Sequence, residues 1–441
     1  MKNFGHHTSL LVMAIFLACT AFSQEKWTLE KCISHAREHN LQVRRQAIAV
    51  EQAGNNLTSA RLEYLPTMNA SMNHNMSWGR SVNLNDLEII ENKLSQSTSL
   101  NFSASVPLFE GMRKQNNIKS SKVQLELAGS NVEKLKDEIS IQIVQAFLQV
   151  MLCREMEKSA LESCNSVEAQ VERTRALVDA GSQPYSSLLE VQAQLASEKV
   201  QVVAARNNLR TNMINLAQLL DIDNIESFDI EAPEAGGTIP DPENYDEEEI
   251  FAGALGLPAI RSAELALENS ELQYRIQKGA ALPTISFSAG YGTYYSDNQP
   301  TPFFTQFDNN RNPSMGFGLS IPIFNSWKNN AAIRNARLNV KSSEIDLRIQ
   351  RQNLRKEIQQ ACNEALSGYE KMNAARENLI SARESAGYTK EKFNLGILNG
   401  TDYTVAMANL YKAESEYLQN KYQYIFQLKI LDYYRNIPLT L

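Results

Sequence analysis

The chain is written twice, and no other feature of its 441 residues constrains the fold as much. Tyr64-Leu65-Pro66 returns as Ala281-Leu282-Pro283, an offset of 217. Val106-Pro107-Leu108-Phe109 returns as Ile321-Pro322-Ile323-Phe324, and Gly181 through Leu195 returns as Gly396 through Leu410, both at 215. Solenoid repeats run about 20–50 residues, so this period marks a duplicated half with the same order of elements rather than a stacked array.

Each half carries two segments of strict alternation. Over residues 67–78, Met68, Ala70, Met72, His74, Met76 and Trp78 alternate with Thr67, Asn69, Ser71, Asn73, Asn75 and Ser77. Over 98–108, Leu100, Phe102, Ala104, Val106 and Leu108 alternate with Asn101, Ser103, Ser105 and Pro107. Residues 284–295 and 313–323 repeat the pattern, with Ile285, Phe287, Ala289 and Tyr291, then Met315, Phe317, Leu319, Ile321 and Ile323, on the apolar side. A period of two predicts strands with two different faces. A soluble sandwich with one wet face would share this pattern. A strand of about 9–11 residues also spans an outer membrane at a tilt, with lipid on the apolar face and water on the other. Asn69, Asn73, Asn101 and Ser103 are then the expected lumen-facing positions. Trp78, Tyr294 and Tyr295 are expected at one membrane interface, and Phe109, Phe324 and Trp327 at the other. Known barrels start at about eight strands, so four cannot close one. Several copies must each donate four, and three copies give twelve.

The rest of each half reads as helix. Residues 112–180 contain no Pro and one Gly, Gly129. Val132, Leu135, Ile139, Ile143, Ala146, Val150 and Cys153 step by three or four, one packed stripe. At 1.5 Å per residue such a helix is on the order of 100 Å long, which suits a coiled-coil tube or rod. Residues 327–395 mirror it. Gly181 and Gly396 stand where a helix C-cap is expected, and mark the hairpin-tip turns. Helices over about 184–220 and 401–435 return, with Pro184 suited to a first turn. Residues 29–64 and 248–278 supply leading helices. The organisation expected is a signal peptide over 1–23, a first repeat over 24–220 with its helix hairpin at about 112–220, a linker or equatorial segment over 221–247, and a second repeat over 248–441 with its hairpin at about 326–435.

The leader reading rests on Lys2, the apolar run from Leu10 to Ala18, and Ala21-Phe22-Ser23 before Gln24. Cys19 offers a rival lipoprotein route, but Phe16 sits where an aliphatic residue is usual. Export follows either way. No stretch beyond the leader is apolar for about 18 residues, so no membrane-spanning helix is expected and a membrane would be crossed by strands. The net charge is −7, and loss of Lys2 makes it more acidic. Nucleic acid is therefore not an expected partner, since phosphate binding needs a basic face. Cys32, Cys153, Cys164 and Cys362 are scattered without a CxxC pair and read as packing residues. Cys32, His35 and His39 lie close together, but the apolar stripe of Leu29, Cys32, Ile33 and Ala36 accounts for the cysteine. The histidines read as solvated, with no metal. No G-x-S-x-G, phosphate loop or H-E-x-x-H occurs, so the chain reads as a non-enzyme without a cofactor.

The order of elements, with VPLFEG at Val106–Gly111, IPIFNS at Ile321–Ser326, and the tip strings GSQPYSSLLEVQAQL and GILNGTDYTVAMANL, resembles the TolC family of outer-membrane efflux proteins. The second strand-to-helix string lacks the final Gly. The resemblance covers essentially all of the chain after the leader. It implies a mixed α and β membrane protein. In that architecture a homotrimer builds a transmembrane antiparallel β-barrel from four strands per chain, twelve in total. A long α-helical coiled-coil barrel continues it in the periplasm. It further implies an outer-membrane duct for small molecules, handed over by an inner-membrane pump through a periplasmic adaptor (membrane fusion protein). Two alternatives stand beside it, a duct for type I protein secretion and a periplasmic coiled-coil protein without a pore. The resemblance places an acidic gate ring at Asp402, with Val405 at the second acidic position and Ser187 and Glu190 matching in the first half. Asp402 is equally well placed to favour a helix N-terminus by its charge. The segments 79–97 and 296–312, which carry Arg80, Phe303, Phe304 and Arg311, are expected as outward loops.

Overall fold

The computed structural model describes residues 26–82, 88–225, 228–231, 240–242 and 245–441. The expected leader, with Lys2 and Cys19, lies outside the described residues, as does the 232–239 part of the linker. In chain order the elements are α1 (Leu29–His39), α2 (Leu41–Leu62), β1 (Thr67–Val82), β2 (Ile89–Glu110), α3 (Arg113–Asp179), α4 (Tyr185–Leu219), α5 (Glu247–Ala254), α6 (Pro258–Gly279), β3 (Thr284–Ser296), α7 (Phe303–Asn309), β4 (Asn312–Ser320), α8 (Lys328–Asn394) and α9 (Gly400–Tyr434). They form two compact units that cut across the duplication. One comprises the described residues of 47–130 and 259–349, the other the described residues of 26–46, 131–258 and 350–441.

The first unit holds a four-stranded antiparallel sheet in the order β1-β2-β3-β4. Its register brings like residues opposite one another. Met72 faces Leu100, Ala70 faces Phe102, Phe102 faces Tyr291, and Phe287 faces Phe317. One side of the sheet is therefore a continuous apolar surface, because a residue and its directly paired neighbour share a face. A bulge between Pro107 and Phe109 changes the phase of β2. Leu108 drops out of the ladder, and Phe109 takes the place opposite Ile285. Alternation alone had put Leu108 in the apolar row; the inserted residue moves it, as a bulge must. Tyr294, expected at a membrane interface beside Tyr295, pairs with Ser99 on the polar side, while Tyr295 is in the apolar row.

β1 and β2 run on past the alternating segment, so part of the expected outward loop at 79–97 is strand. The period-two signal fades there although the ladder continues. β4 shows the reverse. Alternation continues to Ile323, yet the ladder stops at Ser320, because its partner Thr284 is the first residue of β3 and Pro283 before it has no N–H to donate.

Each strand-to-helix joint uses two successive left-handed residues, Gly111 and Met112 in the first half and Ser326 and Trp327 in the second. Only Gly111 is glycine, and packing explains it. A Cβ there would run into the carbonyl oxygen of Gly279 and lie 2.9 Å from the Leu282 Cβ. Gly279, at the end of α6, is held to glycine by the same approach, with the Arg113 Cγ 2.6 Å from its would-be Cβ. Beside this contact, Lys114 donates to the Glu63 carbonyl and sits 5.2 Å from the Tyr64 ring centre. Val123, Leu265 and Leu272 pack α3 on α6, and Ser120 donates to Asn269 at 2.7 Å.

In the second unit Thr28 caps α1, accepting from the Lys31 N–H. The leading helix is broken at Asn40, whose amide donates to the Leu219 carbonyl and whose oxygen accepts from Gln42 N–H at 2.8 Å. The second leading helix breaks between α5 and α6, at Gly256 before Pro258. α3 buries more than the single expected stripe. Ile139, Ile143, Val150 and Cys153 are buried, but so are Val144, Phe147, Leu148 and Met151. A helix with neighbours on two sides needs two apolar faces, which one period cannot reveal. Parts of the linker are packed rather than loose. Trp27 bridges Ile230, Arg154 donates to the Ile230 carbonyl at 3.0 Å, and Tyr424 donates to the Pro240 carbonyl at 2.8 Å. His35 is not simply solvated. Its ring meets Trp27 edge-on at 5.0 Å, and burial, with His39 beside it, lowers its pKa. The four described cysteines are free, with Cys32, Cys153 and Cys362 buried.

Candidate functional site

Two features could carry a conduit function, the polar face of the sheet and the turns of the helix hairpins. On the sheet, Asn69 pairs with Ser103, Asn73 with Ser99, and Asn101 with Ser71. Asn69, Asn73, Asn101 and Ser103 therefore share one exposed side. Across β3 and β4 that side continues as Ser and Gly. Added Cβ atoms on Gly290 and Gly318 would sit 3.0 Å from Ser314 Oγ and Ser286 Oγ, and one on Gly292 2.9 Å from Asn101 Oδ1. The result, between Asn69 and Asn73 and across to β4, is a low wall of hydroxyls, amides and bare backbone, with Glu110 opposite Thr284 at its helix end. Water and polar solutes can exchange hydrogen bonds along it.

The hairpin turns are built alike. Gly181 and Gly396 both have φ of +72°. Ser182 N–H donates to the Leu177 carbonyl at 2.8 Å and Ile397 N–H to the Lys392 carbonyl at 3.0 Å, closing the paired-bond cap that a left-handed glycine permits. Beneath the turns a mixed core joins the hairpins. Val167 and Val171 of α3, Leu188 and Val191 of α4, Phe393 of α8, and Tyr403 and Met407 of α9 pack together. The Phe393 and Tyr403 rings stack at 5.1 Å. Gln183 reaches across and donates to the Phe393 carbonyl at 2.9 Å, capping the end of α8 from the other turn.

The four positions expected at a gate fall in unlike surroundings. Asp402 is exposed in the first turn of α9, and its N–H is held by the N-cap oxygen of Asn399 at 2.8 Å. Val405, one turn on, is also exposed. Ser187, the match of Asp402, is buried, and its N–H donates to the Pro184 carbonyl. Glu190, the match of Val405, lies against Gly400, where a Cβ would meet the Glu190 Cβ at 3.0 Å as well as its carboxylate. The duplication is thus a symmetry of backbone and not of side-chain roles.

The motif comparison missed Gln183, Tyr403 and Glu198, which one repeat does not share with the other. Tyr403 is wholly buried with no hydrogen-bond partner for its hydroxyl, and burial, with Glu198 nearby, pushes its pKa up to about 12. Glu198 is itself buried and accepts from Gln194 at 2.6 Å. Among the described residues no group of His, Cys, Asp and Glu is arranged to hold a metal.

A sheet with one continuous apolar side and one side mostly of small polar residues, joined in sequence to long helix hairpins, is the pattern of a membrane channel protein. A model of the family described as "Outer membrane efflux protein" matches residues 32–221 and 256–432, and the chain belongs to that family. It is 22% identical to "Outer membrane protein TolC" of Escherichia coli over 96% of this chain and 85% of that one. It is also 22% identical to "Alkaline protease secretion protein AprF" of Pseudomonas aeruginosa, over 89% and 81%. Its fold matches the crystal structure of the Campylobacter jejuni CmeC outer membrane channel with a TM-score of 0.76, at 18% identity, over 92% of this chain and 84% of that one. The protein is an outer-membrane duct whose helical part lies in the periplasm, and the family is one of channels rather than of enzymes.

Proposed function

We propose that three copies of the chain close a twelve-stranded barrel and form the exit duct of a tripartite export system. Small molecules would reach it from an inner-membrane pump through a periplasmic adaptor. The observation that carries this reading is the open sheet. Among the described residues both edges, β1 and β4, lack a partner strand, and beyond β4 the exposed Ile321 and Ile323 continue the apolar row past the last paired residue. An exposed apolar edge in a membrane is untenable unless another strand pairs with it. Closure by identical copies puts Asn69, Asn73, Asn101 and Ser103 on the lumen and leaves lipid on the other side. The two halves, 24–220 and 248–441 about the 221–247 segment, then act as two pseudo-equivalent repeats within each copy. Small-molecule cargo is favoured by the family's description as efflux proteins. A second reading, protein secretion, is favoured by the relative named for alkaline protease secretion. Crosslinking the tagged protein in its native envelope and identifying what it pulls down tests both. A proton-driven pump with its adaptor supports efflux. An ATP-driven transporter supports secretion. A protein that runs as a soluble monomer overturns the duct.

Three Asp402 carboxylates near the axis would form a cation-attracting ring at the periplasmic mouth, where mutual repulsion works against closure. Val405 supplies no second acidic ring, so closure would depend on packing and hydrogen bonds at the tips. Asp402→Ala is expected to leave the melting temperature nearly unchanged, because an exposed first-turn carboxylate contributes only about 0.3–1 kcal/mol. It is expected to reduce cation preference in single-channel recordings. Identical conductance and selectivity would leave Asp402 as a helix-terminus residue only.

A further inference from the structure

We infer that α7, the short helix between β3 and β4, is a lipid anchor. It is planted on the outer side of the sheet, with Phe304 embedded at the boundary between acyl chains and headgroups in the outer leaflet. The inference rests on the membrane reading of the sheet. Register decides the side on which α7 lies. Thr293 and Tyr295 belong to the apolar row, since they pair with Leu100 and Thr98. Thr293 donates to the Phe307 carbonyl at 2.7 Å, and the Tyr295 and Phe303 rings meet at 4.8 Å. The helix therefore covers the lipid side and not the polar side that would face a lumen. Thr293, the first polar residue of that row on β3, is buried beneath it.

Height decides the depth. The run from Ile285 to Thr293 covers about 26 Å along the strand at ~3.3 Å per residue, and about 20 Å of height at a tilt of ~40°. The apolar band of an outer-membrane barrel is about 25 Å tall, so α7 begins near its upper rim. That rim lies at the end of the sheet away from α3, α6 and α8, because both hairpin connections are there.

The helix is fixed in place by bonds that β4 does not make. β3 and β4 pair only as far as Gly292 and Asn312. Beyond that point Gln306 accepts from Ser296 N–H at 2.9 Å and donates to the Ser296 carbonyl at 2.9 Å, while Asn310 donates to the Tyr294 carbonyl at 2.8 Å. Backbone groups on a lipid-facing edge must be satisfied within the protein, and side chains of α7 and its C-cap do this where the last strand stops short. Phe303 stacks on Phe307 at 4.5 Å and completes the inner side of the helix. Phe304 points away, 84% exposed. An aromatic ring fully presented to solvent on an apolar membrane face has one favourable surrounding, the interfacial lipid where aromatic belts sit.

Depth-dependent quenching tests this. In a protein with Trp27, Trp78 and Trp327 replaced by Phe, Phe304→Trp and Met72→Trp are each reconstituted in phosphatidylcholine vesicles. The lipids carry bromine either near the headgroup end or near the end of the acyl chains. Phe304→Trp is expected to show blue-shifted emission and to lose most of it to the shallow bromines and little to the deep ones. Met72→Trp, in the middle of the apolar row, is expected to be quenched by the deep bromines. Emission from Phe304→Trp that matches tryptophan in water and is unquenched, while Met72→Trp is quenched, overturns the anchor and leaves the barrel standing. Loss of quenching at both positions overturns the anchor together with the membrane reading on which it rests.

Discussion

Met72→Lys is expected to destabilise the membrane-inserted sheet by about 2–4 kcal/mol per chain, and Asn73→Lys by far less. The two residues are neighbours on β1 and differ only in the side they face. Met72 is paired with Leu100 within the apolar row, and Asn73 is paired with Ser99 on the polar side. An ammonium in the middle of that row has no water and no partner. It must snorkel or draw water inward, and the cost falls off only near the interfaces. The same charge on the polar side stays hydrated. Its effect is on transport: three added lysines in a closed pore shift ion selectivity toward anions. Equilibrium unfolding from vesicles, with bilayer conductance of both variants, separates the two effects. Equal destabilisation by both substitutions would mean that the polar side is not a wet lumen. No destabilisation by either would mean that the apolar side does not face lipid.

Gly111→Ala is expected to cost about 2–4 kcal/mol, while Ser326→Ala at the matching joint is nearly neutral. Both positions have left-handed φ, +62° and +54°. Backbone conformation alone would therefore make Gly111 replaceable at a cost of about 1–2 kcal/mol. The remainder comes from the close approach of Gly279, where a methyl group meets a carbonyl oxygen and not a movable side chain. Relief requires α6 to back away from the strand-to-helix joint, which disturbs the Val123, Leu265 and Leu272 contacts beside it. Ser326 is exposed and already tolerates its conformation with a side chain present. Thermal unfolding of the two variants, read against the wild-type chain, checks the contrast. A Gly111→Ala protein as stable as Ser326→Ala would mean that the approach of Gly279 is looser in solution than this packing.

The tips show how far a motif comparison reaches. It located both turns, because a left-handed glycine after a long Pro-free run has a local signature, and Gly181 and Gly396 occupy equivalent geometries. It also aligned Asp402 with Ser187 and Val405 with Glu190. It could not show that Ser187 is buried while Asp402 is exposed, or that Glu190 is wedged against Gly400. Those differences arise where one hairpin packs on the other, and equivalent residues in two repeats need not have equivalent neighbours. The same holds for Gln183, whose partner is a carbonyl on α8 about 210 residues away in sequence.

By itself the sequence determined the duplication, the four alternating strands, the long helices, their turns and the family. The duplication, strands and helices are written in a spacing of two, three to four, or about 215 residues, the turns in Gly181 and Gly396, and the resemblance to the family in the strings at Val106–Gly111, Ile321–Ser326 and the tips, all of them properties of the chain alone. Tertiary structure alone decided which residue stays in the apolar row after the bulge at Leu108, why Gly111 has no substitute, and where α7 rests. Each of those depends on atoms brought together from distant parts of the chain. Phase, close approach and burial are set by the partner as much as by the residue, so no local pattern encodes them.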